Sequence, residues 1–456
     1  MARPFSALPA IDVSLLDEAR STGELGAVMA RVAAELGPIF RWTTRGGRDA
    51  GAVRVSMVGP EANRFVLHTH RHHFSHDLGW SPFIGDPFGQ GLLNMDDPDH
   101  AVHRKMWNPA FTVAAIDAYL PAMQKVIEAR TARWPRLGEV DVHAEARTIS
   151  FDIAAATLAG FEPGEEVDRL RELFHGLTHR AQDGHQEGAG APVPSLREMR
   201  SRLGARLASL IHARRAAPPE ERPRDVLSLI VRAHDDADRR LSDEQVLGHL
   251  NILLLAGHET TTNLGAWALY LLSTLPEHRQ RIAAELDAHR APGRGSILGE
   301  TLRALEGLDN FVRETGRLYP PVLNVPRGVL GEFEFAGYTV PAGAQARLSI
   351  IGSHSLPTVF REPRRFDPDR LAPPRQEDRQ HPYALVTFGG GPRGCIGQHF
   401  AAAEVKALIA HVVRHFRLEP VGNQRPVPAG FLHASIPGGI RLRVRPAGNP
   451  PLTSRP

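Results

Sequence analysis

The sequence predicts a mainly α protein with a smaller β-rich part, an α+β class. Three observations carry this reading. Most of the stretch from Asp97 to Arg290 places apolar residues at helical spacing, with polar breaks. Within it, a run that begins at Ser242 keeps that pattern for ~30 residues, or about 45–50 Å at 1.5 Å per residue. After Pro320-Pro321 the texture changes to short alternating runs with frequent proline.

Taken in order, Ala52-Val53-Arg54-Val55-Ser56-Met57-Val58 alternates and predicts a strand. Gly59-Pro60 then turns the chain into a helix around Glu61 to His68. Asp77 to Asn94, rich in Gly, Pro and aromatics, reads as an irregular loop. Breaks in the helical stretch fall at Gln182 to Pro194 and at Pro218-Pro219 to Pro223. Ser242 is the N-cap of the long helix, with Gln245 closing a capping box and Pro276 beyond its end. Glu332-Phe333-Glu334-Phe335 and Tyr338-Thr339-Val340 predict short strands joined at Gly337. The helical body is expected over about 97–318, and the β-rich part from about 38–58 and 320–445. One domain over 1–456 is expected, with no fused redox domain.

Composition excludes some functions. A hydrophobic fraction of 42% is ample for a core. The N-terminus has no charged start followed by an apolar run, and no stretch is apolar enough to span a bilayer. With one cysteine, this points to the cytoplasm and to no transmembrane anchor. Net charge is only +3 and the basic residues are scattered, so nucleic acid is not an expected partner. The histidines His68, His70, His72, His73 and His76 are closely spaced. No nearby cysteine or suitably spaced carboxylate completes a metal site there, so a polar segment is the expected reading.

The lone cysteine lies in Phe388-Gly389-Gly390-Gly391-Pro392-Arg393-Gly394-Cys395-Ile396-Gly397. A helix is predicted from Gln398 on. A thiol at a helix N-terminus sees a positive dipole end and unpaired N–H groups, which favour the thiolate. A thiolate so presented can be the axial ligand of a haem iron. No Gly-Lys-Ser/Thr follows the glycines, so a phosphate-binding loop is excluded. The segment resembles the haem-binding loop of the cytochrome P450 family, whose fixed positions are matched by Phe388, Gly391, Arg393, Cys395 and Gly397. The resemblance extends over nearly the whole chain and implies the cytochrome P450 fold.

Further motifs match the same family. In the long helix, Ala256-Gly257-His258-Glu259-Thr260-Thr261 puts a carboxylate and threonines where apolar residues would favour a buried helix. The resemblance implies that Ala256 and Gly257 leave room for dioxygen. It makes Thr260 a hydrogen-bonding partner of the oxygen and Glu259 a proton relay. Glu314 and Arg317 are three apart on one helix face. The family completes such a pair with a later arginine, here Arg370 in Phe366-Asp367-Pro368-Asp369-Arg370, in a structural role. His100 and Arg104 share a face, and arginine binds carboxylates in two-pronged fashion. The family uses these two for the haem propionates, with Arg327 and Arg393 as further partners.

The reaction implied is oxygen insertion by a haem-thiolate monooxygenase, with haem b as cofactor. Its substrate is expected to be a lipophilic small molecule, because the lining residues assigned by analogy are apolar. These are Phe83, Ile84, Phe88, Leu92, Leu253, Ala256, Val322, Leu323, Val325, Phe431 and Leu432. O2 is the co-substrate, and electrons are expected from a ferredoxin and ferredoxin reductase. The donor is expected to dock beside the cysteine loop, near Lys105, His103 and Lys406. Two alternatives stand beside this reading. A peroxide-driven peroxygenase or an isomerase needs no donor, but the acid–threonine pair argues against it. A non-catalytic haem sensor would have no use for that pair.

Overall fold

The computed structural model describes residues 2–43, 53–183, 196–289, 297–430 and 434–447. The strands are β1 (Ala10–Asp12), β2 (Ile39–Thr43), β3 (Arg54–Met57), β4 (Phe74–Ser75), β5 (Glu139–Asp141), β6 (Asn324–Val329), β7 (Phe333–Phe335), β8 (Tyr338–Val340), β9 (Gln345–Ser349), β10 (Phe416–Pro420) and β11 (Arg441–Pro446). The longer helices that build the site are α1 (Asp77–Phe88), α2 (Asp99–Trp107), α3 (Val113–Thr131), α4 (Val142–Ala159), α5 (Glu165–Asp183), α6 (Leu196–Ala216), α7 (Asp243–Thr274), α8 (Glu306–Leu318) and α9 (Gln398–His415).

The largest sheet runs β1-β2-β3-β9-β6-β4, mixing residues from both ends of the chain. β3 and β9 are parallel, while β9, β6 and β4 are antiparallel. That register sets Arg327 on β6 opposite Ala346. β10, β11 and β5 form a second sheet, and β7 and β8 a hairpin. Ala336 and Gly337 turn that hairpin with φ of 50° and 79°. A two-residue turn of this kind requires left-handed backbone at both positions.

The main hydrophobic core lies among the helices. A second cluster lies under the large sheet and a third under the N-terminal helices. α7 crosses the middle and packs along α4, α9 and α8. Its start is fixed by a capping box: Gln245 N–H donates to Ser242 Oγ at 3.1 Å, and Ser242 N–H to Gln245 Oε1 at 2.8 Å. Near its far end Trp267 stacks on Tyr319 at 3.8 Å. Among the described residues no helix is long and apolar enough to cross a membrane.

One expectation is overturned. Asp77–Phe88, expected as loop, is helix α1. Trp80, Ile84 and Phe88 recur every four residues and are buried in the main core. That burial outweighs the poor helix propensity of the segment. Gly79 makes the packing possible, since a Cβ there would sit 2.5 Å from the Pro326 carbonyl oxygen. Gly89, at φ 81°, ends the helix. The predicted helix around Glu61 to His68 is present as Pro60–Arg64 followed by a π turn, Phe65–Thr69.

Candidate functional site

The cysteine loop is a set of tight turns closed onto itself. Cys395 N–H donates to Phe388 O at 2.8 Å, and Gly394 N–H to Gly391 O at 3.0 Å. Gly389 and Gly391 have φ of 70° and 64°, which other residues resist. A Cβ at Gly391 would collide with the Leu67 carbonyl oxygen, and one at Gly390 would lie 2.6 Å from the Tyr383 ring. The loop therefore sits flush against the π turn. Gly397 caps α9, with its carbonyl accepting Ala401 N–H at 2.8 Å. The Cys395 side chain is solvent-accessible although protein surrounds it. Burial pushes its thiol up, against the Gly397 N–H and the Arg104 charge. In the free thiol, burial thus outweighs the dipole effect expected from sequence. A thiol that coordinates a metal ion is deprotonated outright, its proton released to solvent.

Beside this loop gather Arg104, Arg327, Arg393, His100 and His76. Arg104 donates from Nη1 to Gly394 O at 2.9 Å. Arg393 donates to Met95 O at 2.6 Å and lies 3.2 Å from Asp97. His100 Nδ1 is 3.5 Å from the same carboxylate. Burial, then Arg393, push His100 down to about 4, with Asp97 opposing. Asp96 is engaged by the Ser75 hydroxyl and the His76 N–H. Arg327 is 4% exposed, and its buried Nε has no hydrogen-bond partner. Burial, then Arg393, push Arg327 down to about 9.

Among the described residues, three guanidiniums thus face two carboxylates, one of them already taken. An orphaned buried donor in a positive surplus calls for an anion. This donor set fits a group bearing carboxylates beside the thiol, as haem does. Arg104, Arg327, Arg393 and His100 could hold its carboxylates and Cys395 its iron.

The middle of α7 supplies another wall. Leu253, Ala256, Gly257 and Thr260 are partly accessible while most of their neighbours are buried. Their spacing, i, i+3, i+4, i+7, puts them on one face. A Cβ on Gly257 would meet nothing within 4 Å. The helix stays continuous because its hydroxyls bond back to the preceding turn. Thr260 donates to Ala256 O at 2.7 Å, and Thr261 to Gly257 O at 2.7 Å. Thr260 Oγ1 therefore keeps its lone pairs for the open face.

Glu259 lies next to this face, its Oε1 3.2 Å from the buried His258 Nε2. Burial would raise its carboxyl, but His258, Arg147 and His175 outweigh that and hold it below the usual carboxylate range. On the other side of α7, Glu404 from α9 is 2% exposed. Burial pushes it up to about 8 against hydrogen bonds from Ser150 and Thr261.

Glu314, Arg317 and Arg370 form a fully buried triad rather than a surface pair. Arg317 donates twice to Glu314, at 2.7 and 2.8 Å, and Arg370 donates to Glu314 Oε1 at 2.9 Å. Arg370 also reaches Glu377 at 2.7 Å. Arg317 Nη1 donates to His354 O at 2.9 Å, which ties the triad to the helix after β9.

Other expected residues are more scattered. Ile84 and Phe88 are core, with Phe88 stacked on Phe174 at 5.4 Å. Leu92, Leu253, Val322 and Val325 are partly buried against the main core. Phe83 is 40% exposed, so the interior does not enclose it. Leu323 packs with Leu16, Phe40 and Trp42 in the N-terminal cluster, away from the cluster that Val322 joins. Phe431 and Leu432 lie outside the described residues.

The expected docking residues need correction as well. His103 is buried and shares a 2.8 Å contact with His249. Lys406 is buried and pairs with Asp309 at 2.6 Å. Lys105 is exposed and pairs with Asp236 at 2.6 Å. Helical phase turns the first two inward, which charge alone does not reveal.

Sequence reasoning missed three groups. His76 lies with the arginine cluster and not with His68, His70 and His72, which are exposed. Glu404 is the only acid in α9, a signal that was available. His258 sits inside the Ala256–Thr261 motif, and no local pattern shows that it is buried beside Glu259. Among the described residues no histidine, cysteine and acid group could hold a metal by itself.

Comparison with known proteins places these features. A family model described as cytochrome P450 matches residues 13–440. Cytochrome P450 136 of Mycobacterium tuberculosis is 31% identical over 390 residues, covering 84% of this chain and 78% of its own. A sterol 14alpha-demethylase of Mycolicibacterium vanbaalenii is 28% identical over 401 residues, covering 86% and 88%. The fold matches the solved cytochrome P450DA haem domain with a TM-score of 0.83 at 22% identity, over 98% of this chain and 97% of that one. It matches a cyanobacterial protein, CYP120A1, solved with retinoic acid bound, with a TM-score of 0.81 at 24% identity over 98% and 100%. The family model spans nearly all of the chain and a relative above 30% identity covers most of it. The chain therefore belongs to the cytochrome P450 family and is a haem-thiolate monooxygenase.

Proposed function

We propose that this P450 hydroxylates or epoxidises a lipophilic small molecule, holding haem b and drawing electrons from a ferredoxin and its reductase. The observation that carries the reading is the open face of α7. There Leu253, Ala256 and Gly257 offer an apolar, uncrowded wall with the Thr260 hydroxyl at its end. Haem, when bound, supplies the oxygen-activating and electron-accepting chemistry. The chain's own residues do the rest. Cys395 Sγ is the iron ligand, in a loop whose turns exclude other conformations. Phe388, through its carbonyl, and Gly397, at the α9 cap, fix the height of the thiol. Arg104, Arg327 and Arg393 neutralise the carboxylates, and the neutral His100 ring offers them a hydrogen bond. Thr260 Oγ1 presents lone pairs to the reacting side, and the ionised Glu259 beside it, with part of its side chain accessible, takes up and hands on protons. Glu314, Arg317 and Arg370 keep the thiol side of the fold rigid. The described chain serves these tasks as one domain.

A lipophilic substrate is supported by the apolar residues on that face and by the sterol demethylase relative. The test combines spectral titration of the ferric protein with lipophilic compounds and turnover under 18O-labelled dioxygen with a ferredoxin system. One labelled oxygen atom per product is expected. Product oxygen drawn from water, or turnover with peroxide alone, would overturn the reading.

A further inference from the structure

Glu259 has a neighbour whose protonation is fixed at one nitrogen. His258 is completely buried, and its Nδ1 lies 2.6 Å from Leu254 O. A carbonyl oxygen can only accept, so Nδ1 carries the hydrogen. The other nitrogen, Nε2, lies 3.2 Å from Glu259 Oε1. In a neutral ring that nitrogen has only a lone pair, and an ionised carboxylate has only lone pairs. Two acceptors at this range repel. The pair therefore needs one proton, on Nε2 or on Oε1.

The ring cannot turn away to water. The rings of Phe151 and Phe174 stand edge-on to it at 5.3 and 5.7 Å. His175 stacks on it at 5.9 Å. Nε2 is buried and makes no well-aligned hydrogen bond, so the contact to Glu259 is an ion-pair distance with room to tighten. Glu259, by contrast, keeps 19% of its side chain accessible. A sealed imidazole thus backs a carboxylate that has one open edge. The charged and titratable groups facing this carboxylate are Arg147 and His143 from α4, His175 from α5 and His258 itself. Asn263 donates to the Glu259 carbonyl at 2.9 Å and fixes the backbone.

We propose that His258 is a positioning residue that shares one proton with Glu259, between Nε2 and Oε1, and so sets the charge of the acid beside Thr260. This rests on the reading of Glu259 as a proton-handling group. In the step, the proton leaves Nε2 and binds Oε1. The imidazolium becomes a neutral ring that still donates from Nδ1, and the carboxylate becomes a neutral acid. No electrons are transferred. Once Glu259 has given its proton to the open face, solvent at its accessible edge restores it.

The test is a nuclear magnetic resonance titration of ring-labelled histidines in the haem-loaded, diamagnetic ferrous carbon monoxide form. The His258 signal is identified by its loss in His258→Phe, or in His258→Gln should the first variant not load haem. In the parent protein its Nδ1 stays protonated throughout. Its Nε2 should hold a proton more tightly than in Glu259→Gln, by roughly tenfold or more, as an opposite charge at this range gives. An equal midpoint in both proteins, or an Nδ1 without its proton, overturns the proposal. A second readout is peroxide released per reducing equivalent across pH. His258→Phe should flatten that profile, and an unchanged profile overturns the positioning role. If instead Glu259→Gln leaves coupling intact while the titration shifts as expected, the relay reading of Glu259 fails and the shared proton stands.

Discussion

His354 Nε2 accepts the Val386 N–H at 2.9 Å. The same ring faces Arg317 O through Nδ1 at 3.2 Å, and its carbonyl accepts from the Arg317 guanidinium. Val386 O in turn accepts Gly389 N–H at the mouth of the cysteine loop. The buried Glu314–Arg317–Arg370 triad is thus wired to the thiol loop through one neutral imidazole. Arg317→Ala or Glu314→Ala strands a buried charge, at a cost of about 3–5 kcal/mol. Both variants should purify with little haem. His354→Leu leaves a buried N–H unpaired, which costs about 1–3 kcal/mol. Urea denaturation of the loaded protein should show this milder loss, and an unchanged midpoint would remove His354 from the link.

Cys395→Ala should abolish the red-shifted Soret band of the reduced carbon monoxide complex. The backbone bond from Cys395 N–H to Phe388 O does not involve the side chain, so the loop should stay folded. A variant that keeps the band would show that another residue ligates iron.

Thr260→Ala should load haem normally and release more peroxide per reducing equivalent. The hydroxyl contributes little to the helix, because its bond to Ala256 O competes with the backbone ladder. Thr261→Ala serves as the comparison, since Thr261 is buried on the Glu404 side. Equal uncoupling in both variants would make the effect structural.

Stability should depend on pH in two opposed ways. Burial, then Arg317, push His354 down to about 3, and burial, then His103, push His249 down to about 3. Unfolded histidines bind protons near 6.5. Between those values the unfolded chain holds more protons, so this stability is full above about 6.5 and lost as pH falls toward 3. Glu404 works the other way, raised by burial to about 8 from 4.5. Its contribution is full below 4.5 and lost as pH rises through 8. In Glu404→Gln the alkaline decline should weaken while the acid decline persists. Parallel curves for the two proteins would show that Glu404 does not titrate in this window.

Lys105→Glu should slow reduction by an acidic ferredoxin and leave substrate spectra unchanged. With His103 and Lys406 buried, Lys105 is the exposed cation left of the expected docking set. Because Asp236 already pairs with it, the effect should be modest and should shrink with salt. Stopped-flow rates indifferent to both charge and salt would place docking elsewhere.

What could be read from sequence was what local rules decide. The Ser242–Gln245 capping box, the turn at Gly337 and the start of α9 are each set by neighbouring residues. The motif around Cys395 was legible because its glycines, arginine and cysteine fall at fixed spacing within ten residues, although the groups that press on Gly390 and Gly391, the Tyr383 ring and Leu67 O, lie outside it. Helix α1 was not legible, since its stability comes from Trp80, Ile84 and Phe88 meeting partners far along the chain. The inward phase of His103 and Lys406 depends on how α2 and α9 are rotated in the packed molecule. His354 carries no local signal, because its role exists only where three distant segments meet. His258 carries no local signal either, because the Phe151, Phe174 and His175 rings that enclose it come from other helices.

The missing Cβ of Gly391, up against Leu67 O, has a consequence for construction. The cysteine loop, closed by its own turns, is also seated from outside. It is cast against the π turn at Phe65–Thr69, as a seal is cast against its flange. One added residue between Arg64 and His70 would lift the mould without touching the cysteine. Phe65, Val66 and Leu67 are buried in the cluster under the large sheet, so changes in that stretch should be felt at a distance, as altered seating of the cysteine loop.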